Sequence, residues 1–193
     1  MDTYEVIKYS AALQIAWDEF IEKSKNGTFL FHRDFMDYHA DRFSDHSLMV
    51  YKNENLVAVL PANLKDNVLY SHQGLTYGGI VLNSKVIFET VVEVFRHVLV
   101  YLNETRIETL NLKLLPKIYH QLPSDEMDYL LFLVKANLTR RDIGSSVFYE
   151  NSLKIESSIR LKGIKRGVKN ELRVDETSNL KPTILYLWNM NIF

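Results

Sequence analysis

The hydrophobic period of this chain changes repeatedly along its length, and that restricts the open folds more than any other feature. "TYEVIKYS" alternates with period two and is rich in strand formers, so it predicts a first strand. Ser10 then stands as cap of a helix from about Ala11 to Lys23, with Leu13, Trp17, Phe20 and Ile21 on one stripe. "SKNGT" breaks that helix, because Asn-Gly is turn chemistry. "FLFHRDFMDYHADRF" returns to helical spacing, with Phe31, Phe35, Tyr38 and His39 on one side. Three strand-like runs follow, Ser47 to Lys52, Leu56 to Leu64 and Asn67 to Ser71, joined by turns at Asn53-Glu54-Asn55 and Lys65-Asp66-Asn67. Ser84 to Asn103 is a long helix whose buried side is Val91, Val94, Phe95, Val98 and Leu102. "IETLNLKLLP" alternates as a strand ending at Pro116. "SDEMDYLLFLVKAN" reads as a helix capped by Ser124, with Met127, Leu130, Leu131 and Val134 inward. "TRRDIGSSVFYE" is a further strand, and a basic helix opens at Ser157 or Ser158 and runs to about Leu172. This order excludes a helical bundle and a β-sandwich. It predicts an α/β (α+β) fold, a mixed β-sheet flanked by helices.

Composition removes several functions. With no cysteine among 193 residues there is no disulfide, thiolate metal site or cysteine nucleophile, which fits a cytoplasmic protein. No apolar run approaches the roughly 20 residues that cross a bilayer, so no membrane span is expected. A net charge of -1 argues against a surface that binds nucleic acid everywhere. The positive charge is instead local: Arg160, Lys162, Lys165, Arg166, Lys169 and Arg173 are opposed there only by Glu171. That segment is either a solvated helix face or a patch for phosphate or RNA backbone.

The chain contains no P-loop, dinucleotide fingerprint, His-Glu-x-x-His or nucleophile elbow. His32 and His39, seven apart, fit a polar helix edge better than a metal pair, and no metal is expected. His97 reads as structural in its apolar helix. His72 and His120 each close a strand beside a tyrosine, in "YSH" and "YH". Ligands commonly bind at strand ends, although both histidines could equally satisfy loop carbonyls. "LYSHQGLTYGGIVL" places Gly74, Gly78 and Gly79, three of the seven glycines, within six residues. A loop from Ser71 to Gly79 flanked by two strands accounts for it, glycine admitting close approach of a ligand or positive φ. His72 and Tyr77 would then face an acceptor. Arg160-Leu-Lys-Gly163-Ile-Lys165 approaches the Arg/Gln-x-x-Gly-x-Gly/Ala pyrophosphate loop of acetyl-CoA-binding acetyltransferases, but Lys165 replaces the final small residue.

The order of these pieces resembles the N-terminal half of the FemAB-like branch of the GNAT-type acyltransferases. The shared pieces are Trp17/Phe20, Asn26-Gly27-Thr28, His32/Phe35 (one residue closer than the family's spacing), Leu60-Pro61-Ala62 and Ser71 to Gly79. The similarity runs on through "LKLLPKIYHQLPSDEMDYLLF" and "TRRDIGSSVFYE" to the basic segment, covering roughly residues 10 to 176. It implies a GNAT-like sheet and transfer of an acyl or aminoacyl group to an amine, in cell-envelope or small-molecule modification. The implied donor is acetyl-CoA, another acyl-CoA or aminoacyl-tRNA, with no covalently bound cofactor. The implied partners are a small-molecule or cell-wall precursor amine, and tRNA.

Family members are about twice this length and carry two lobes. The expected organisation is a lobe over 1–156, a basic helix over 157–176 and an atypical apolar tail over 177–193, with the second lobe missing. Catalytic residues are not assignable, because the family's donor machinery lies largely in that second lobe. Acceptor-side candidates are Tyr70, His72, Thr76, Tyr77, Gly78, Gly79, Lys113, Tyr119, His120, Arg140 and Arg141. Phosphate or RNA candidates are Arg160, Lys162, Lys165, Arg166 and Lys169. A non-catalytic binding lobe and a basic-patch RNA binder remain as alternatives to an enzyme.

Overall fold

The computed structural model describes residues 2–38, 40–142, and Lys162, Lys165, Arg166 and Lys169. The chain divides into two units, Met1–Arg141 and Asp142–Phe193. In the first, β1 (Tyr4–Lys8), β2 (Leu48–Lys52), β3 (Asn55–Leu60) and β6 (Val81–Leu82) form an antiparallel sheet in the order β1-β2-β3-β6. A second sheet has the order β4-β5-β7, from β4 (Asn63–Lys65), β5 (Val68–Tyr70) and β7 (Thr109–Asn111). Here β4 and β5 are antiparallel, while β5 and β7 are parallel and matched Val68 to Thr109 through Tyr70 to Asn111. The helices are α1 (Gln14–Lys23), α2 (Arg33–Asp37), α3 (Phe88–Glu104) and α4 (Glu126–Leu133), with short 3-10 turns at Ala11–Leu13, Phe29–Phe31 and Lys117–Tyr119. The protein is mixed α/β, as its changing period requires.

The larger sheet is buried on both faces, which explains why its strands read as apolar runs instead of clean alternations. Leu48, Val50, Ala58, Leu60 and Leu82 point to a core built with Val91, Val94, Val98 and Leu102 of α3 and Met127 and Leu130 of α4. The intervening Met49, Val59 and Val81 point the other way, to a core of Trp17, Phe20, Ile21, Phe31 and Met36. Successive strand side chains alternate faces, so each strand serves two cores. Trp17 is fully buried and donates its indole N–H to the Phe31 carbonyl at 2.7 Å.

Several local expectations give way to packing. Ser10 precedes the first helix, but its hydroxyl makes no cap. Leu56 to Leu64 is two strands, because Pro61 cannot donate to a ladder. Of the residues spaced along one side of this region, Phe31 is buried but Phe35 and Tyr38 are exposed; within α2 the buried residues are Arg33 and Met36, and His39 lies outside the described residues. The Arg33 guanidinium lies 3.8 Å from the Tyr9 ring centre and bonds Asp37 (2.6 Å), Asp45 (3.3 Å) and Ser47 (3.2 Å). Asp125 rather than Ser124 is the cap residue of α4, and Val134 is exposed. Thr139 to Asp142 form no strand, and the rest of that predicted strand, with most of the basic helix, lies outside the described residues. The two hairpin turns fall where expected: Asn53, Glu54, Asp66 and Asn67 all have positive φ, the mirror-image geometry that suits strand twist.

The two-residue strand β6 depends on a side chain. Asn26 donates from Nδ2 to the Ile80 carbonyl (2.9 Å) and accepts the Leu82 N–H at Oδ1 (2.8 Å). Lys25 adds its N–H to the Leu82 carbonyl at 2.9 Å. Asn26→Ala would orphan two buried backbone groups. The expected loss is about 3 kcal/mol of unfolding free energy, from the cost of unsatisfied buried donors and acceptors, measured by urea denaturation. A loss near zero would show that the clasp carries nothing.

Candidate active site

Because β5 and β7 are parallel, the chain leaves both at the same end, and the loops there carry most of the predicted acceptor-side residues. Ser71 to Ile80 follows β5. Leu112 to Asp125 follows β7 and leads into α4. Strand ends of this kind are the usual place for ligands in α/β folds.

The first loop is pinned to the second. The Ser71 N–H donates to the Asn111 carbonyl (2.9 Å), and the Ser71 hydroxyl accepts the Lys113 N–H (2.7 Å). The Gly78 N–H donates to the Lys113 carbonyl (2.6 Å), and Lys113 Nζ reaches the Leu75 carbonyl. Lys113, expected to meet an acceptor, therefore holds the loop from both its backbone and its side chain. The glycines also serve the chain itself. A Cβ on Gly78 would stand 2.0 Å from the Ser71 carbonyl oxygen, and one on Gly74 would stand 2.7 Å from the Phe43 ring. Gly79 has φ +94°, a conformation that side chains resist. Close approach was the right reason for glycine here; the approaching group is protein.

His72, expected to face an acceptor, is buried. It is 3 % exposed, sits at φ +64°, and packs edge-on against Phe43 with ring centres 5.6 Å apart. Tyr70 is half-buried at the end of β5, and Thr76 is exposed. Tyr77 and Tyr119 are brought together, and His120 follows Tyr119 in the chain. The Tyr77 and Tyr119 rings pack at 5.5 Å with planes 30° apart, and Phe31 supports Tyr77 edge-on at 6.2 Å. Burial pushes the Tyr77 phenol above its ordinary value, with the nearby Thr28 hydroxyl acting in the opposite sense. Burial likewise lowers His120, opposed by its contact with the Leu115 carbonyl, so the imidazole is neutral at pH 7. Arg140 and Arg141 lie beyond α4 in an exposed segment. Of the predicted phosphate residues, Lys162, Lys165, Arg166 and Lys169 are helical and exposed, and Arg160 lies outside the described residues.

Sequence reasoning missed Lys25, which is 5 % exposed. Its carbonyl accepts the N–H groups of Gln121 (2.8 Å) and Leu122 (3.1 Å), and its Nζ pairs with Glu126 at the start of α4. The Ser124 hydroxyl donates to the other Glu126 oxygen at 2.8 Å. Burial works to raise the Glu126 carboxyl, but Lys25, the residue's own N–H and Ser124 together bring it below its ordinary value. The only signal in the sequence was a lysine beside the Asn-Gly turn. Arg33, also missed, holds the core beneath α1 and takes no part here.

Two open clefts lie away from this site. One of about 570 Å³ is lined by Leu99, Leu102, Arg106, Ile107 and Leu110 at the end of α3. The other, about 520 Å³, is lined by Tyr4, Lys52, Thr90, Glu93 and His97. His97 is structural, as expected: its ring stacks on Tyr4 at 5.0 Å and bonds the Glu93 carbonyl at 2.7 Å.

No protein-family model matches the chain, and no curated protein matches it significantly. Among solved structures, it is similar to the ribosomal-protein-S18-alanine N-acetyltransferase from Escherichia coli, with 9% identity and a TM-score of 0.40 over 56% of this chain. The matched region spans 64% of that enzyme's length. It is also similar to the aminoglycoside antibiotic 6′-N-acetyltransferase from Acinetobacter haemolyticus, with 14% identity and a TM-score of 0.43 over 75% of this chain and 98% of that one. Neither likeness assigns the chain a family or a reaction.

A depressed imidazole has a measurable consequence. The folded state refuses a proton that unfolded His120 accepts near pH 6.5. Its stabilising contribution is therefore complete above pH 6.5 and declines as pH falls through the folded value. Following the His120 ring protons by NMR should give a midpoint below 6.5. A midpoint at or above 6.5 would place the ring in solvent.

Proposed function

We propose that this chain is the acceptor-side lobe of an N-acyltransferase of the FemAB-like GNAT type. The observation that carries the reading is the meeting of Tyr77 and Tyr119 beyond the ends of β5 and β7, with His120 next to Tyr119 in the chain. The ordered sequence motifs Trp17/Phe20, Asn26-Gly27-Thr28 and Ser71 to Gly79 give it independent support. The donor is acetyl-CoA, another acyl-CoA or aminoacyl-tRNA, and the acceptor is a small-molecule or cell-wall precursor amine.

The chemistry follows from the groups present. An amine attacks the donor carbonyl, and the thiolate or ribose oxygen leaves as the new amide forms. The attacking nitrogen must lose a proton, and a neutral imidazole takes one at physiological pH. His120 is held neutral and stands beside Tyr119. The paired tyrosine rings offer a half-buried surface for the acceptor.

The test uses the purified full-length chain with acetyl-CoA and aminoacyl-tRNA as donors and a panel of small amines and amino-sugar peptides as acceptors. Transfer should fall about tenfold or more in Tyr77→Ala and Tyr119→Ala, the scale of a lost positioning contact, with circular dichroism unchanged. Acceptor binding without transfer would favour the non-catalytic lobe. Absence of donor binding, acceptor binding and transfer alike would remove the proposal.

One observation favours a second activity. Lys162, Lys165, Arg166 and Lys169 are helical, exposed and spaced to share one face. This suits a phosphate backbone, including that of tRNA. The salt slope of RNA binding should shrink by about 1.5 in the double variant Lys165→Ala/Arg166→Ala, two phosphate contacts fewer on a single strand. An unchanged slope would dismiss it.

A further inference from the structure

We infer that the segment 116–125 is a movable wall of the candidate site, and that Lys25 is the positioning residue that holds it closed. The two loops beyond β5 and β7 are attached very differently. The Ser71–Ile80 loop is tied along its length, at Ser71, Leu75 and Gly78, and Leu75 is buried. The segment 116–125 converges on Lys25. Gln121 and Leu122 donate to the Lys25 carbonyl, and Glu126, directly after the segment, pairs with Lys25 Nζ.

The segment's other features add little hold. Ile118 is 52% exposed and Leu122 46%, so neither is a core anchor. Lys117 bonds Asp125 and Asp128, which keeps its charge within the segment and α4. The eight-residue α4 joins the core it shares with α3 through Met127 and Leu130, with Leu131 partly buried, adds Tyr129 on Phe88, and exposes Phe132 and Leu133. Tyr119 rests on Tyr77. Releasing Lys25 therefore lets Tyr119 leave Tyr77, and His120 move with it, while the Ser71–Ile80 loop stays in place. A few ties among many exposed apolar side chains mark the low-stability end of a structure, where local opening occurs. That this opening admits an acceptor rests on the acyl-transfer reading. The tethering does not.

Hydrogen exchange on the full-length chain tests it without any activity assay. In Lys25→Met, the amides of Tyr119, Gln121 and Leu122 should exchange about tenfold faster or more, because the partly buried Glu126 carboxylate loses its cation. The amides of Ser71 and Gly78 should keep their protection. The double variant Lys25→Met/Glu126→Met should recover protection, since an apolar pair can replace a buried ion pair. Should Lys25→Met fail to fold, Glu126→Gln gives the same reading: selective loosening of 116–125 supports the inference. Loosening shared equally by both loops, or no change in 116–125, overturns it. A chain that transfers no acyl group but shows selective loosening would defeat only the acyl-transfer reading.

Discussion

The carboxamide of Asn26 completes the edge of the larger sheet, and much of the molecule depends on that substitution of side chain for strand. Strand β6 matches β3 at only two positions, Ala58 with Leu82 and Val59 with Val81. A strand so short gains little from its own ladder. By bonding Ile80 and Leu82 together, Asn26 gives β6 the hydrogen bonds of a second neighbour. It also fixes the path of the chain on either side. Lys25 is delivered beside the segment 116–125, and the helical turn Phe29–Phe31 is delivered beneath Tyr77. One turn thus positions both the sheet edge and the aromatic floor of the candidate site.

The same economy governs the glycine-rich loop. A loop near a site can hold glycine for a ligand's sake or for its own. Here Gly78 lies against Ser71 and Gly74 lies against Phe43. The tightness makes the Ser71–Ile80 loop a rigid platform, and the accessible chemistry passes to side chains that rest on it. Tyr77 is presented by this platform and Tyr119 is laid over it.

Elements with a long, regular period were legible in the sequence. The inward face of α3, the first strand and both mirror-image turns follow from spacing and turn chemistry alone. The mixed α/β class follows from their order. What spacing could not supply was the second neighbour of each strand. Apolar runs such as "LVAVLP" signal burial on both faces without saying which helix covers which side. Nothing in the spacing singled out Arg33. It is buried because two aromatic rings and two carboxylates surround it, and all of them except Asp37 are distant in sequence. His72 looked like a ligand group because strand ends favour ligands, and only the tertiary position of Phe43 decides otherwise. Tyr77 and Tyr119 meet beyond β5 and β7, but spacing located only the first of those ends: the run from Ile107 to Pro116 read as one strand, whereas β7 stops at Asn111 and Tyr119 lies in the 3-10 turn after it. Lys25 was not legible, since its role is defined by a partner 101 residues away.

The pairing of β5 with β7 also bears on the order in which the chain can assemble. Val68 meets Thr109 across a connection that contains β6 and the whole of α3. Closing such a loop costs entropy before its contacts return any, and parallel pairings of this range form slowly. The hairpins β2-β3 and β4-β5, with turns already mirror-imaged, are local and can form early. The long amphipathic α3 can form early too. The end of the molecule that bears Tyr77 and Tyr119 is therefore among the last to acquire its shape.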